Sequence, residues 1–252
     1  MLFYFTGTGN SLYIAKQIEK KPLSIPQILK QEELEFSDKS IGIVAPIYGH
    51  ELPYMVKEFI RKTKFNTDYF YLILTYGNRH GGASELAKAF CSLCHIKPNY
   101  INVIKMVDNW LPSFDMEEQR KIDKHINEHL RVIKEDIKSK KNYISEVNDE
   151  DRNAHLQFLN RMKNMPSDAW QHLIQITDQC IGCGICTKVC PSHSIKIVDH
   201  KALFTPGHCE TCLACIHACP HFAIKLSSGE KNEHARYRHE DITLQEIIKS
   251  NY

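Results

Sequence analysis

Apolar, β-branched and aromatic runs alternate with helical stretches through roughly the first 110 residues, the pattern of a parallel sheet covered by helices on both faces. Leu2 to Phe5, Ile41 to Ala45, Phe70 to Thr75 and Tyr100 to Val107 read as strands. A weaker strand near Leu23 to Ile28 is confined to an edge by Pro22 and Pro26. Ser11 to Lys20, Tyr54 to Arg61 with Pro53 at its first position, and Ser84 to Cys94 fit as the helices between them. Five strands suit a doubly wound parallel α/β sheet. From Met116 to Lys140, Ile122, Ile126, Leu130, Ile133 and Ile137 form one apolar stripe among charges, the expected last covering helix.

This places a first domain over residues 1–140. Residues 141–170 are polar but carry Leu156, Leu159 and Met162 at helical spacing, which predicts a linker with a short docking helix. Residues 171–226 hold an internal repeat, CIGCGICTKVCPSHSIKI from Cys180 echoed by CETCLACIHACPHFAIKL from Cys209, and imply a small α+β domain of two like units packed together. In the tail, 227–252, Thr243 to Glu246 resembles a capping box before Ile247 and Ile248.

Composition narrows the function classes. The 252 residues are 42% apolar and 25% charged with a formal net charge of +2, so neither disorder nor a broad basic field for nucleic acid is expected. No uncharged run approaches the ~18 apolar residues of a membrane span. The chain opens directly on a strand, without the pattern of a secretory signal. A cytoplasmic setting is the expectation, and there ten cysteines, eight of them between Cys180 and Cys219, point to metal before disulfides.

Cys180, Cys183, Cys186 and Cys190 before Pro191 give C-x2-C-x2-C-x3-C-P, and Cys209, Cys212, Cys215 and Cys219 before Pro220 repeat it. This is the two-cluster bacterial ferredoxin signature, in which the fourth cysteine of each run serves the other cluster. The expected ligand sets for two [4Fe-4S] clusters are therefore Cys180, Cys183, Cys186 and Cys219, and Cys209, Cys212, Cys215 and Cys190. Structural zinc and buried free thiols are the alternatives, but zinc sites usually present separated C-x2-C pairs. Ile181, Ile185, Ile195, Leu213, Ile216 and Ile224 are candidates for an apolar jacket. His172, His193, His200, His208, His217 and His221 are read as surface or supporting residues, since all eight cysteine positions are filled.

Thr6-Gly7-Thr8-Gly9-Asn10-Ser11 lies between the first strand and first helix, where backbone N–H groups face an anion. It is neither a dinucleotide fingerprint nor a Walker A loop, and its hydroxyls, amide and glycines suit a terminal monophosphate. The motif resembles the phosphate loop of flavodoxin over residues 1 to 140, and the cysteine array resembles bacterial ferredoxin over 171 to 226. Together they are similar to flavodoxin-ferredoxin fusion proteins of anaerobes. That resemblance implies a flavodoxin-like fold and bound FMN, with the isoalloxazine gripped by Pro46-Ile47-Tyr48-Gly49 and Thr75-Tyr76-Gly77-Asn78. Tyr48 and Tyr76 are candidates to lie on the ring faces, with Gly49 and Gly77 admitting backbone to the ring edge.

Cys91 and Cys94 read as core or core-edge thiols, on a helix whose apolar face includes Leu86, Phe90 and Leu93, and His125 and His129 as solvated histidines. Arg79 and His80 are equally readable as charges near the flavin or as turn residues. The expected function is single-electron transfer between two clusters, FMN and a redox partner protein. No catalytic acid, base or nucleophile is nominated. The alternatives are an FMN-dependent reductase of a small substrate, with a pocket from residues 49–53 and 78–82, and an iron-sulfur sensor.

Overall fold

The computed structural model describes residues 1–166, 168–169, 172–207 and 209–252. The chain divides into two compact units, one of Met1–Thr6, Asn10–Val107 and Asp123–Lys163, the other of Gly7–Gly9, Asp108–Ile122 and Asn164–Tyr252.

Along the chain the first unit opens with β1 (Leu2–Tyr4), α1 (Asn10–Ile18), β2 (Leu23–Ser24) and α2 (Ile25–Ile28). It continues with β3 (Glu35–Ser37), β4 (Ile41–Pro46), α3 (Tyr54–Lys62), β5 (Lys64–Asn66), β6 (Phe70–Tyr76), α4 (Ala83–Leu93) and β7 (Tyr100–Lys105). After α5 (Met116–Lys121), which belongs to the second unit, it resumes with α6 (Ile126–Lys138), β8 (Tyr143–Ile144) and α7 (Asp149–Lys163). Six strands form an all-parallel sheet in the order β2-β1-β4-β6-β7-β8. β3 and β5 pair separately.

Central strands buried on both faces are continuous apolar runs, as parallel sheets require. Phe3, Ile43 and Leu72 are fully buried, and Phe3 meets Phe59 of α3 at 4.8 Å between ring centroids. Each such side chain contributes about 1.5–3 kcal/mol on burial. Gly42 is obligatory inside β4, since a Cβ there would lie 2.1 Å from Cζ of Tyr71, whose ring crosses it from β6. The β4–β6 register, ending at Pro46 opposite Thr75, sets the two strand-end loops side by side.

Several expectations change. The residues after Ser24 turn into α2 with Pro26 in its first turn, where a missing N–H costs nothing, so only Leu23 and Ser24 remain as an edge strand. Pro53 is the N-cap of α3 rather than its first helical residue. Leu93 is 80% exposed and leaves the apolar face of α4. The stripe from Met116 to Lys140 is broken at His125, which has φ 51°, into α5 and α6; Leu130 and Ile133 are buried while Ile122 is exposed. The sheet has a sixth strand, β8, and α7 runs from Asp149 to Lys163, both within the segment expected as a linker.

The second unit contains β9 (Ile174–Ile176), α8 (Ile185–Val189), β10 (Ile195–Val198), β11 (Lys201–Phe204), α9 (Ala214–Ala218), β12 (Ile224–Leu226) and α10 (Leu244–Asn251). β10 and β11 form an antiparallel hairpin, its tip at Asp199 and His200 taking positive φ as a tight two-residue turn demands. β9 and β12 form a second antiparallel pair. α10 starts at the capping box expected at Thr243 and Glu246, and its Asn251 donates Nδ2–H to the buried carbonyl of Val189 at the end of α8.

Candidate functional site

In the second unit the local backbone follows from the cysteine spacing. For three sulfurs at steps of three residues to face one point, the chain must reverse curvature between them, and it does so at two left-handed residues in each repeat. The first repeat uses Gly182 (φ 68°) and Gly184 (φ 77°), and the second uses Thr211 (φ 52°) and Leu213 (φ 56°) at the equivalent positions. A third matched pair, His193 (φ 53°) and Phe222 (φ 51°), follows Cys190 and Cys219. The two halves thus share one backbone path despite different side chains. Non-glycine residues in this region cost roughly 1–2 kcal/mol each, strain of the kind held at functional sites.

The two paths bring the eight cysteines together in two groups. Cys180, Cys183, Cys186 and Cys219 line one cavity with Ile185, Ile197 and Ile224. Cys190, Cys209, Cys212 and Cys215 line a second with Ile174, Ile195 and Leu213. The structure thus brings Cys219 beside the first run and Cys190 beside the second. Among the described residues no three His, Cys, Asp or Glu side chains gather tightly enough to hold a single metal ion.

Backbone N–H groups point at the sulfurs: Ser194 donates to Cys190 at 3.3 Å and Ala223 to Cys219 at 3.3 Å, matched positions in the repeat. Ala202 donates to Cys180 at 3.3 Å and Thr211 to Cys209 at 3.4 Å. Donors of this kind stabilise negative charge on a cluster and raise its potential. Burial, followed by neighbouring cysteines, pushes the Cys186 thiol up to about 11 and Cys212 and Cys215 well above the ordinary thiol range. Buried thiols such as these three ionise only with a cation beside them, so the donor set fits iron bound as thiolates. Exposure differs between the quartets. Cys183 is exposed, whereas Cys190, Cys212 and Cys215 are buried.

Of the expected apolar jacket, Ile185, Ile195, Leu213 and Ile224 line the cavities, and Ile216 is fully buried. Ile181 lines the first cavity yet is 61% exposed. His172, His193, His200 and His221 are exposed, and His208 lies outside the described residues. His217 departs from them: it is buried in α9 with both ring nitrogens engaged.

The residues expected at a flavin fall in both units. In the first, Thr6 and Ser11 are buried, Ser11 Oγ lies 2.8 Å from Thr75 Oγ1, and Asn10 donates Nδ2–H to the carbonyl of Val107. Pro46, Ile47 and Tyr48 lead from β4 into a turn closed by the Tyr48–Glu51 bridge, with Gly49 at φ 56°. Gly77 and Asn78 follow Tyr76, whose ring meets His80 edge-on at 5.2 Å. At Gly49 a Cβ would lie 2.8 Å from Phe158 of α7. Gly81 likewise admits the His50 ring, so the two strand-end loops lock together. α7 lies against both, with Phe158 and His155 beside His50 and Asp151 at 3.4 Å from His80. Arg79 is exposed.

In the second unit Gly7, Thr8 and Gly9 are buried, and the N–H groups of Gly7 and Thr8 have no acceptor among the described residues. Buried unpaired N–H groups are costly, and an oxygen-rich anion is the ligand that satisfies them. Phosphate fits this turn. Cys91 is a buried core thiol pushed up to about 12, and His125 and His129 are exposed, as expected.

Comparison with known proteins bears on residues 172–220, which match the family described as a 4Fe-4S dicluster domain. A 4Fe-4S dicluster ferredoxin domain therefore lies near the C-terminus. A stretch of 47 residues is 40% identical to one component of the ion-translocating oxidoreductase complex of Methanosarcina acetivorans. That match covers 19% of this chain and 18% of the other protein. Among the described residues no helix is long and apolar enough to cross a membrane.

Sequence reasoning had no access to Asn109, His50 or Phe158. Nothing in their local sequence marks them, because each matters through a residue far along the chain.

Proposed function

We propose that the protein is a cytoplasmic electron-transfer iron-sulfur flavoprotein, passing single electrons between two [4Fe-4S] clusters, FMN and a redox partner protein. The observation that carries the reading is the sorting of eight cysteines into two crossed quartets, each around its own apolar-walled cavity. Cys180, Cys183, Cys186 and Cys219 hold one cluster, and Cys190, Cys209, Cys212 and Cys215 the other. The exposed Cys183 makes the first cluster the port for the partner, while the second, with Cys190, Cys212 and Cys215 buried, is the inner station.

FMN in a flavodoxin-like first domain rests on the Thr6–Ser11 motif, on the unpaired N–H groups of Gly7 and Thr8, and on Tyr48 and Tyr76 in paired strand-end loops. The bound flavin would supply a centre that holds one or two electrons. The chain's own part would be to hold phosphate on the Thr6–Ser11 loop and to offer Tyr48 and Tyr76 to the ring. No side chain is assigned as a general acid or base.

Titration of the anaerobically purified, flavin-depleted protein with FMN tests this reading. Quenching of FMN fluorescence to one equivalent per chain, followed by reduction of that FMN when the clusters are reduced, is the expected result. Intact clusters with no FMN uptake would leave an iron-sulfur carrier and remove the flavin from the account.

A further inference from the structure

His217 stands between Cys215, of the inner quartet, and Cys219, of the exposed one. Its ring is buried. The N–H of Tyr237 donates to Nδ1 at 3.0 Å, so Nδ1 is the acceptor and the proton resides on Nε2. Nε2 lies 2.9 Å from the carbonyl oxygen of Asn109 and donates to it. Asn109 in turn donates Nδ2–H to Thr8 Oγ1 at 2.8 Å. From the other side, the N–H of His239, two residues beyond Tyr237, donates to the carbonyl of Thr8 at 2.9 Å. A Cβ on Gly9 would come within 3.1 Å of both His239 and Ile242, so the turn is fitted closely to this tail segment.

We infer that His217 is a positioning residue that ties the cluster-bearing helix α9 to the Thr8–Gly9 turn, so that the turn is preformed for a phosphate only when the cluster domain is assembled. The inference rests on the reading of Thr6–Ser11 as a phosphate loop. Gly7 and Thr8 present N–H groups without protein acceptors among the described residues. A turn of this kind binds an anion well only if its donors are held in place beforehand, since otherwise binding must supply the ordering free energy. His217 and Asn109 provide that hold on one side of Thr8, and His239 provides it on the other. Because the contact with Asn109 depends on one ring nitrogen, conservative variants separate it from mere volume.

Gln at 217 places an N–H near the position of Nε2 and keeps the donation to Asn109, whereas Asn places its amide near Nδ1 and loses it. Iron-loaded His217→Gln, His217→Asn and Asn109→Ala are compared with the natural protein for FMN affinity by fluorescence quenching. Amide hydrogen exchange at Thr8 and Gly9 is followed in the same proteins without FMN. We expect eight irons in all of them, FMN affinity reduced at least about tenfold in His217→Asn and Asn109→Ala, and recovery in His217→Gln. Exchange at Thr8 and Gly9 should quicken in the two weakened variants and not in His217→Gln. Should His217→Asn fail to load iron, Asn109→Ala decides, since its side chain is remote from the cysteines in sequence and removes only the bond to Thr8. Unchanged affinity and unchanged exchange in Asn109→Ala would overturn the inference. If the natural protein takes up no FMN, the flavin reading fails, and the exchange rates alone then decide whether His217 holds the turn.

Discussion

At Gly182 a methyl group would lie 2.4 Å from the carbonyl oxygen of His200, and the residue already has φ 68°. Gly182→Ala should therefore displace the hairpin tip from the first cysteine loop. We expect loss of about half the iron, with the second quartet still loaded, measured by iron and sulfide analysis. Its repeat partner Thr211 pays the opposite cost, so Thr211→Gly should be tolerated and keep full iron. The pairing of these positions is legible in the sequence as a repeat, but their left-handed conformation is not, because threonine and leucine in the second copy give no hint of it. His50 offers a pH test. Burial, then the charges of His155 and Arg79, holds its pKa below the ordinary value of 6.5, with Asp151 opposing. The unfolded chain then takes up the proton first, so stability contributed by neutral His50 is present above about pH 6.5 and falls as pH drops toward the folded value. The melting temperature should decline as pH falls below about 6.5, and His50→Gln should flatten that slope. A parallel decline in the variant would remove His50 as the cause.

The elements test the crossing of ligands. α9 carries Cys215 toward one cavity and ends at Cys219, which faces the other. Cys219→Ala should remove a ligand from the cluster of Cys180, Cys183 and Cys186, and leave intact the one of Cys209, Cys212 and Cys215. Electron paramagnetic resonance of the reduced variant should show the signal of the inner cluster alone. Loss of the inner signal instead would mean that ligands are not exchanged. At the C-terminus, Thr243→Ala removes the hydroxyl that accepts from the Glu246 N–H, while the Thr243 N–H can still donate to the Glu246 carboxylate, and should cost about 0.5–2 kcal/mol of α10 stability, read by urea denaturation. The cap was readable from sequence, since spacing within a few residues determines it. β8 was not, because two residues carry no period, and the break before α6 was hidden by an unbroken isoleucine stripe whose Ile122 ends in solvent.

For the molecule as a whole, the boundaries of the compact units are the least legible feature. Gly7–Gly9 and Asp108–Ile122 join a unit formed mostly by residues after Asn164. Linear composition cannot show this, since the joining contacts, such as Asn109 to Thr8 and Lys231 N–H to the Leu111 carbonyl, are long-range polar bonds between unremarkable residues. The cysteine array, by contrast, is plain in the sequence, because its residues recur at fixed local steps. The two strand-end loops after β4 and β6 fall between these cases: their place was readable, while the packing of Phe158 and His50 onto glycines was not. The central claim is that the two crossed quartets hold two redox-active clusters, and the most direct test is iron and sulfide analysis of anaerobically purified protein with electron paramagnetic resonance after dithionite reduction. The account predicts eight irons and eight sulfides per chain, with two magnetically interacting reduced [4Fe-4S] signals. Stoichiometric zinc, or a single four-iron cluster unaffected by Cys219→Ala, would contradict it.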